Sequence, residues 1–482
     1  MRPILTTLLT FLCLAAVGPK AQAISPPPDG CYPGFTTAEG CNALAGLTTG
    51  AGNTGVGWYS LFSAGASNFN TGVGAGTLVL NTADSNTALG AAALLLNTTG
   101  SNNTAVGTDA LVYNDSGEEN TATGAFALFS NTGGDFNVAN GSFALFFNTN
   151  GERNTAIGDS ALNGNTGGSR NTAVGNPALL SNTTGNDNTA IGAGTLFFNN
   201  ANNNTAIGAD ALSDNATGSS NTAMGVDALS SNTTGNLNTA IGFHALMNNT
   251  NDGGNTAIGS DALINNTGGG NTAIGDQALF ASATGSLNTA LGFAAGANVT
   301  TASNNICIGT DGENVSDSCY IGSIFGATSA GGIGVIVNAA GKLGTMVSSQ
   351  RFKEAIKSMG QASEALFALK PVTFRYKKEF DPTATAQFGL VAEEVEKINS
   401  DLIVRDKEGN PYSVRYDAVN AMLLNEFIKE HKAFVAEQKK VRKLEAALDA
   451  VTERLKEQEA KIEKVSARVE MSKPAPQLVQ SP

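Results

Sequence analysis

The sequence is poor in histidine, in charge and in aromatic side chains. Among 482 residues there are two histidines, His244 and His431, and charged residues make up 14% and aromatic residues 6% of the chain. So few histidines argue against His-based metal sites and against Ser-His-Asp catalysis. The length alone would suggest about three domains, but this composition argues against three ordinary globular ones. We therefore expect no metal site and no cofactor.

Basic residues are nearly absent from the first two thirds of the chain. Residues 24–340 contain two of them, Arg153 and Arg170, against twenty acidic residues, a balance of −18, and 52 of the 57 glycines lie before residue 341. Residues 341–482 contain 24 basic and 21 acidic residues, a balance of +3. The chain thus has two physically different parts. The acidic part should repel nucleic acid and anionic membranes, so neither is an expected partner.

Residues 1–23 have the pattern of a signal peptide. Arg2 precedes an apolar stretch at 4–17, and Ala21-Gln22-Ala23 forms a cleavage site of the A-x-A type. The alternative, a membrane anchor, is disfavoured because such a stretch is too short to span a bilayer as a helix. No later segment is apolar enough to span as a helix either. We expect export, to the medium or to a bacterial cell surface.

Four cysteines remain after such processing. They form two local pairs, Cys31 with Cys41 and Cys307 with Cys319. An even count in an exported chain predicts disulfides, each closing a short loop and contributing about 2–3 kcal/mol by the loop-entropy estimate. The alternative is four free thiols.

A short repeat fills residues 53–309. Its unit reads N-T-A-I-G-x-x-A-L-x-x-N-T-T-G-x-x, and successive units are 17 residues apart, or 16 at three places. A fixed period over this length predicts a solenoid. Two apolar positions recur, as in Ile157 and Leu162, and stacking should bury both in a thin continuous column. Aligned Asn and Thr side chains should bond along the stack.

The two halves of the unit predict different local structures. N-T-A-I-G indicates a short strand, whereas x-x-A-L-x-x-N fits either a second strand or one helical turn. Aspartates at the start of the second half suit a helical cap better than a calcium ladder, because the G-G-x-G-x-D pattern of calcium-binding rolls is absent. These aspartates are Asp109, Asp210, Asp227 and Asp261.

The repeat resembles the head repeats of YadA-like trimeric autotransporter adhesins. The shared core is N-[ST]-x-[AV]-I-G, present here as Asn154-Thr155-Ala156-Ile157-Gly158. The resemblance covers about half the chain and implies a β-solenoid that trimerises. The period differs, and no membrane-embedded barrel is recognisable, so the anchoring mode of that family does not carry over.

The last part of the chain predicts small mixed structure followed by a long helix. Residues 351–369 look helical, 372–376 and 388–391 look like strands, and 402–405 and 412–415 flank a hairpin signal. A long helix is expected to begin near Asp417. Its seam positions recur in alternating steps of three and four residues, and this heptad pattern predicts a coiled coil. The alternative is a lone amphipathic helix. The seam positions are Leu424, Phe427, His431, Phe434, Gln438, Val441, Leu444, Leu448, Val451, Leu455, Gln458, Ile462, Val465 and Val469.

Ser348 and Lys353 are the candidate catalytic residues. On one helix their spacing would place them about 140° apart, so a dyad requires Ser348 outside the helix and Lys353 in its first turn. There the helix dipole disfavours the ammonium form, and the amine would act as the base on the serine. Taken alone, the S-x-x-x-x-K spacing is a weak signal.

Residues 348–469 resemble the intramolecular chaperone domain that ends endosialidases and other phage tail spikes, which also occurs in bacterial exported proteins and in myelin regulatory factor. The matching blocks are Ser348 with Arg351-Phe352-Lys353, then Lys370-Pro371-Val372-Thr373-Phe374, then Phe388-Gly389-Leu390-Val391-Ala392-Glu393-Glu394-Val395, and the long helix after Tyr416.

That resemblance implies a homotrimer whose C-terminal domain helps a β-rich stalk to fold and is then cut off. The implied nucleophile is Ser348, the implied base is Lys353, and the implied cut lies between Val347 and Ser348. Ser349 stands where the family commonly has an acidic residue or Asn, and Glu393 stands where it usually has Gln. The first departure leaves open whether Ser348 or Ser349 attacks.

Together these observations predict a mainly β chain that forms a trimer, with a repetitive β-solenoid, a small α+β domain and a C-terminal coiled-coil helix. The expected segments are a signal peptide (1–23), an N-terminal cap with a cysteine pair (24–52), the solenoid (53–325), a linker (326–347), the chaperone-type domain (348–420), the coiled coil (421–470) and a disordered tail (471–482).

Three functions remain open. The first is an exported fibrous homotrimer with a self-cleaving chaperone tail, a single-turnover serine autopeptidase with no outside substrate. The second is a non-enzymatic surface adhesin that keeps its coiled-coil tail. The third is an ice- or polysaccharide-binding solenoid, which interruptions of the Thr row by Val138 and Ile306 disfavour. The expected partners are two further copies of the chain, with a host-surface or polysaccharide ligand for the stalk.

Overall fold

A computed structural model describes residues 33–472 of the chain. It divides into two compact units with the boundary between Ala327 and Thr328. The predicted signal peptide and Cys31 lie outside the described residues, and so does most of the predicted tail. Within 33–472, no helix is long and apolar enough to cross a membrane.

The first unit is a β-solenoid of about 17 turns, as the repeat predicts. Each turn contributes one three-residue strand, and each strand pairs in parallel with the next one along the chain. The register is strict: Thr155, Ala156 and Ile157 pair with Thr172, Ala173 and Val174. The eighteen strands β1–β18 are Thr37–Glu39, Thr54–Val56, Thr71–Val73, Thr87–Leu89, Thr104–Val106, Thr121–Thr123, Val138–Asn140, Thr155–Ile157, Thr172–Val174, Thr189–Ile191, Thr205–Ile207, Thr222–Met224, Thr239–Ile241, Thr256–Ile258, Thr272–Ile274, Thr289–Leu291, Ile306–Ile308 and Cys319–Ile321.

The second half of each repeat is neither a strand nor a helical turn, so both interpretations of it are wrong. It is a run of turns in which two residues take left-handed backbone angles, for example Asp109 at φ 57° and Leu111 at φ 54°. The Leu111 N–H donates to the carbonyl of Ala127 in the next turn at 3.0 Å. These inter-turn bonds hold a conformation that is rare for leucine.

The aspartates at the start of this segment therefore do not cap helices. Like Asp109, the other three adopt left-handed angles, with φ between 53° and 55°. Aspartate tolerates this region better than most residues, which explains its recurrence there. The residues concerned are Asp210, Asp227 and Asp261.

Glycine ends each strand for a steric reason. Gly158 has φ 130°, and a Cβ there would lie 2.5 Å from the carbonyl oxygen of Gly175 in the next turn. Only glycine permits both that angle and that approach. The glycine of N-T-A-I-G is thus required where the chain turns at the end of each strand.

The core of the solenoid is a column of alanine and leucine. Ala156, Ala161 and Leu162 are fully buried, whereas Ile157 is 40% exposed. Successive residues of a strand face opposite sides, so the central alanine points inward while threonine and isoleucine point outward. The prediction of two buried apolar positions is right for Leu162 and wrong for Ile157.

The outward third residue of each strand forms what we call the outer column. It runs along the whole sheet and is apolar except at Glu39, Thr123 and Asn140. At a strand spacing of about 4.8 Å it extends for about 80 Å. Its apolar members are Val56, Val73, Leu89, Val106, Ile157, Val174, Ile191, Ile207, Met224, Ile241, Ile258, Ile274, Leu291, Ile308 and Ile321.

Buried asparagines form hydrogen-bonded ladders beside the core. Asn154 donates from Nδ2 to the carbonyl of Gly168 at 2.8 Å, and its Oδ1 accepts the backbone N–H of Asn171 at 3.0 Å. In a second ladder, Asn165 Nδ2 donates to Asn148 Oδ1 at 2.7 Å. The amides satisfy buried backbone groups at the corners, because each turn leaves polar groups that no strand can pair.

The second unit is built from three separate two-stranded antiparallel pairs and two helices. The strand pairs are β19 (Val335–Val337) with β20 (Leu343–Thr345), β21 (Val372–Phe374) with β22 (Gln387–Gly389), and β23 (Ile403–Arg405) with β24 (Pro411–Val414); the helices are α1 (Ala392–Ile398) and α2 (Tyr416–Met471). The predicted helix over 351–369 is wrong, because this region contains only two 3-10 helices, Gln350–Phe352 and Gly360–Ala368. A further 3-10 helix spans Ser400–Leu402, and one opens the described stalk at Pro33–Phe35.

This unit has a small core, and most of its apolar surface is exposed. Six buried side chains make up the core: Val395, Leu402, Ile403, Val414, Val419 and Met422. Helix α2 begins within one residue of the predicted start, and its seam leucines Leu444, Leu448 and Leu455 are at least 60% exposed. The single chain therefore leaves the heptad face of α2 uncovered, and the coiled coil stays a prediction.

Candidate functional site

Ser348 and Lys353 lie on either side of a short 3-10 helix. Ser349 is extended at φ −62° and ψ 139°, the helix spans Gln350–Phe352, and Lys353 returns to extended backbone at φ −123° and ψ 140°. Ser348 is thus outside the helix, as a dyad requires. Lys353 follows a 3-10 helix and does not occupy the first turn of an α-helix, so the predicted help from a helix dipole is absent.

The structure brings the two candidate side chains together. Lys353 Nζ donates a hydrogen bond to Ser348 Oγ at 3.1 Å. The turn that permits this contact is held by the Lys353 N–H on the carbonyl of Gln350 at 3.0 Å. Because an amine beside a hydroxyl can take its proton when neutral, this pair has the geometry of a nucleophile and its base.

The arrangement also bears on the choice between the two serines. Ser349 caps the 3-10 helix through its backbone, and its side chain makes no capping hydrogen bond. The lysine amine contacts Ser348, so the geometry favours Ser348 as the group that this base would activate. Both Ser348 and Lys353 are exposed in the single chain, as is the adjoining Val347 at 56%.

The cysteines are free thiols wherever the structure describes them, at Cys41, Cys307 and Cys319. Strand pairing sets Cys307 opposite Tyr320, and Cys307 is buried while Cys319 is exposed. Burial, with a smaller contribution from nearby Cys319, raises the pKa of the Cys307 thiol. The structure does not join this pair, and both disulfides stay predictions.

The histidines occupy unlike places. His431 lies on α2, where its ring stacks near that of Phe427 with centroids 6.4 Å apart. His244 lies in the solenoid between aspartates of the adjacent turns, with Nδ1 3.2 Å from Asp261 Oδ1 and Nε2 3.6 Å from Asp227 Oδ2. The 17-residue spacing of 227, 244 and 261 is the signal that would have revealed this column.

A buried polar cluster in the second unit carries no comparable sequence signal. Ser363 is fully buried, and its Oγ contacts Glu426 Oε1, Asn425 Nδ2 at 2.6 Å and Lys429 Nζ at 3.4 Å. It ties the 3-10 helix Gly360–Ala368 to α2. Because the partners are more than 60 residues apart, only the fold reveals them. Across 33–472, no group of His, Cys, Asp and Glu is arranged to hold a metal ion.

One comparison with known proteins covers the segment that contains Ser348 and Lys353. The family model described as chaperone of endosialidase matches residues 348–404, so the matched segment begins at the candidate nucleophile, Ser348. No curated protein and no solved structure matches the chain. Residues 348–404 therefore carry the chaperone-of-endosialidase domain, and they follow a β-solenoid stalk.

Proposed function

We propose that this protein is an exported fibrous homotrimer whose C-terminal domain aligns three chains and then cuts itself off at Val347–Ser348. The observation that carries the proposal is the contact between Lys353 Nζ and Ser348 Oγ at 3.1 Å, at the first residue of the family match. The nucleophile thus adjoins the bond to be cut, so no outside substrate needs to bind.

The cut is a serine acyl transfer followed by hydrolysis. Neutral Lys353 takes the proton from Ser348 Oγ, and the oxygen attacks the carbonyl carbon of Val347. The C–N bond breaks, Lys353 returns the proton to the departing amine of Ser348, and an ester links the two residues. Water then hydrolyses the ester, which leaves a carboxylate on Val347 and a free amine on Ser348.

The exposure of the dyad supports a link between cleavage and assembly. In the single chain, Ser348 and Lys353 lie in solvent, and water stabilises the charged form of an amine, which has no lone pair to accept a proton. A neighbouring chain packed over this segment would remove water from the amine and favour its neutral form. Cleavage would then follow assembly, which is the order that a temporary folding aid requires.

Two uncovered surfaces support the homotrimer. The outer column of the stalk and the seam of α2 both present apolar side chains to solvent, with Ile157 40% and Leu448 66% exposed. Contiguous exposed apolar surface marks an interface. Another copy of this chain repeats at the period of the outer column, so copies packed in register can cover it along its length.

The stalk also needs a way to bring three chains into the same register. We call the C-terminal domain that would do this the aligner. Neighbouring repeats are nearly identical, so chains that meet anywhere along the stalk can pair out of register. A coiled coil at one end fixes the register and raises the local concentration of the three stalks. After release, the stalk would meet its ligand, a host-surface or polysaccharide structure, without the aligner.

The test is the intact mass of the mature chain and four variants. We expect two fragments that join at Val347–Ser348 in the wild type, and one uncut mass for Ser348→Ala and for Lys353→Ala. Ser349→Ala and Lys357→Ala are matched controls, since each removes a like side chain close by and should leave cleavage intact.

The remaining outcomes separate the alternatives. A single uncut mass in every variant, with trimers by light scattering, would favour a surface adhesin that retains its coiled-coil tail. Fragments that persist in Ser348→Ala but vanish in Ser349→Ala would move the nucleophile by one residue.

A further inference from the structure

The hairpin β19–β20 stands apart in the second unit, because nothing in the single chain covers its apolar side chains. Val335, Val337 and Leu343 are each more than 60% exposed, and Ile336 is 49% exposed. β19 and β20 pair only with each other. An isolated two-stranded hairpin with an uncovered apolar surface is marginally stable in water.

The two faces of this hairpin have different shapes. The antiparallel register sets Val337 opposite Leu343, and Val335 lies on the same face, which we call the raised face. On the opposite face, Ile336 lies beside Gly344, and no atom lies within 4 Å of the position where a Cβ of Gly344 would be. We call this second face the recessed face.

A strand pair with two apolar faces needs two neighbours. A hairpin with one apolar face fits a dimer, whereas here one neighbour must cover the raised face and another the recessed face. Heterologous contacts of this kind close into a ring when the rotation between copies permits. The segment 326–347 has one charged residue, Lys342, so nothing in it selects a charged partner.

We propose that the hairpins of three copies of this chain form a closed three-fold clamp, in which the raised face of each packs into the recessed face of the next. The proposal rests on the homotrimer proposed above and names the part of it next to the cut. The open space at Gly344 accepts an apolar side chain of the neighbour, which makes the hairpin complementary to its own copy.

The position of the hairpin in the sequence, just before the cut, indicates what the clamp would do. Residues 335–345 precede the bond between Val347 and Ser348, so the hairpin stays covalently with the stalk after cleavage. Release of α2 removes the coiled coil that aligned the three chains. A clamp at the new C-terminal end would hold the stalks together once the aligner has gone.

Cysteine crosslinking tests the clamp. The double variant Val337→Cys with Gly344→Cys places thiols on opposite faces of one hairpin, so they cannot join within a chain. In the clamp, each thiol on a raised face meets a thiol on the neighbour's recessed face. We expect oxidation of the full-length chain to give covalent trimers as the main product on a denaturing gel.

The controls are the parent chain, which keeps its natural cysteines, and the two single variants, which should give no covalent trimer. Light scattering separates the two proposals. Trimers in solution without crosslinked trimers would overturn the clamp and leave the homotrimer standing. Monomers in solution would overturn both.

A second variant tests the shape of the recess. Gly344→Leu adds a side chain where the single chain has open space, so the hairpin itself should tolerate it. It should, however, fill the space that the neighbour needs, and the released stalk should lose its resistance to dissociation by detergent. Ala339→Leu adds similar bulk in the exposed loop and should leave that resistance unchanged. Equal resistance in both variants would contradict the clamp.

Discussion

The stalk and the C-terminal unit differ in how much of their apolar surface a single chain can bury. In the stalk, each turn buries alanine and leucine against the next turn of the same chain, and one continuous core results. In the C-terminal unit, six side chains form the core while the seam of the 56-residue helix α2 remains exposed. The first unit largely completes itself, and the second is incomplete as a single chain.

The stalk can bury its core within one chain because its repeats stack on one another in sequence order. A solenoid supplies its own neighbours along the sequence, so its core grows with every repeat. A long helix with one apolar stripe has no such neighbour, and it gains stability only when other helices cover the stripe. The outer column is a feature of the stalk that resembles the C-terminal unit, since it too is apolar and uncovered.

Removal of the apolar seam of α2 should have the largest effect. Leu444→Lys with Leu448→Lys puts two charges in the centre of the predicted coiled coil, and we expect complete loss of trimers by light scattering. Lysine is a good helix former, so α2 itself should persist. Ala446→Lys adds one charge on the flank and should leave the trimer intact. Trimers that survive the double change would show that α2 does not hold the chains together.

The core and the outer column of one turn can be compared directly. Leu162→Ala removes a fully buried side chain and should cost about 2–5 kcal/mol of unfolding free energy. Ile157→Ala removes a side chain that is 40% exposed, and in the monomeric seam variant it should cost only about 1 kcal/mol. Urea denaturation measures both. Equal costs in the monomer would mean that the stalk does not complete its core alone.

The asparagine ladder should be the next most sensitive feature. Asn154→Ala removes the acceptor of the buried Asn171 N–H, and leaving that group unpaired should cost about 1–3 kcal/mol in the same denaturation experiment. Asn163 is a matched control because it is half-exposed and lies outside the two ladders. Its change to alanine should stay within about 0.5 kcal/mol. A similar loss of unfolding free energy in both variants would mean that the ladder contributes no more to stability than a half-exposed side chain does.

The smallest effect concerns an exposed ion pair on the stalk. Arg170 binds Asp187 through two hydrogen bonds, of 2.6 and 2.8 Å, and these lower the pKa of the Asp187 carboxyl. Any stability from the pair is present above the pKa of Asp187 in the unfolded chain and is lost as the pH falls through its lower folded value.

Carboxyl NMR titration checks this sign. Arg170→Ala should raise the pKa of Asp187, while Arg153→Ala, whose guanidinium lies 5.3 Å from the Phe136 ring centroid, should leave it unchanged. An unmoved Asp187 titration in Arg170→Ala would contradict the pairing. Because the pair is exposed, little change in overall stability is expected.

The sequence was informative where a pattern repeats or where residues are close along the chain. The strand at N-T-A-I-G, the in-register stacking and the start of α2 follow from periodicity. The pair of Ser348 and Lys353 was accessible because five residues separate them. The single helix predicted over 351–369 is replaced by two 3-10 helices, Gln350–Phe352 and Gly360–Ala368, and the left-handed angle of Gly360, φ 54°, is incompatible with a continuous α-helix.

Local spacing along the chain was enough to predict the period, the strand in each repeat, the division into two units and the dyad candidates. Only the tertiary structure decided that Leu162 lies inside and Ile157 outside, because that choice depends on which strand face meets the core. It also decided that the second half of the repeat is held in left-handed turns, since hydrogen bonds between turns override local backbone preference. Likewise, Ser363 meets Glu426 only once the chain has folded, because no local pattern links residues so far apart.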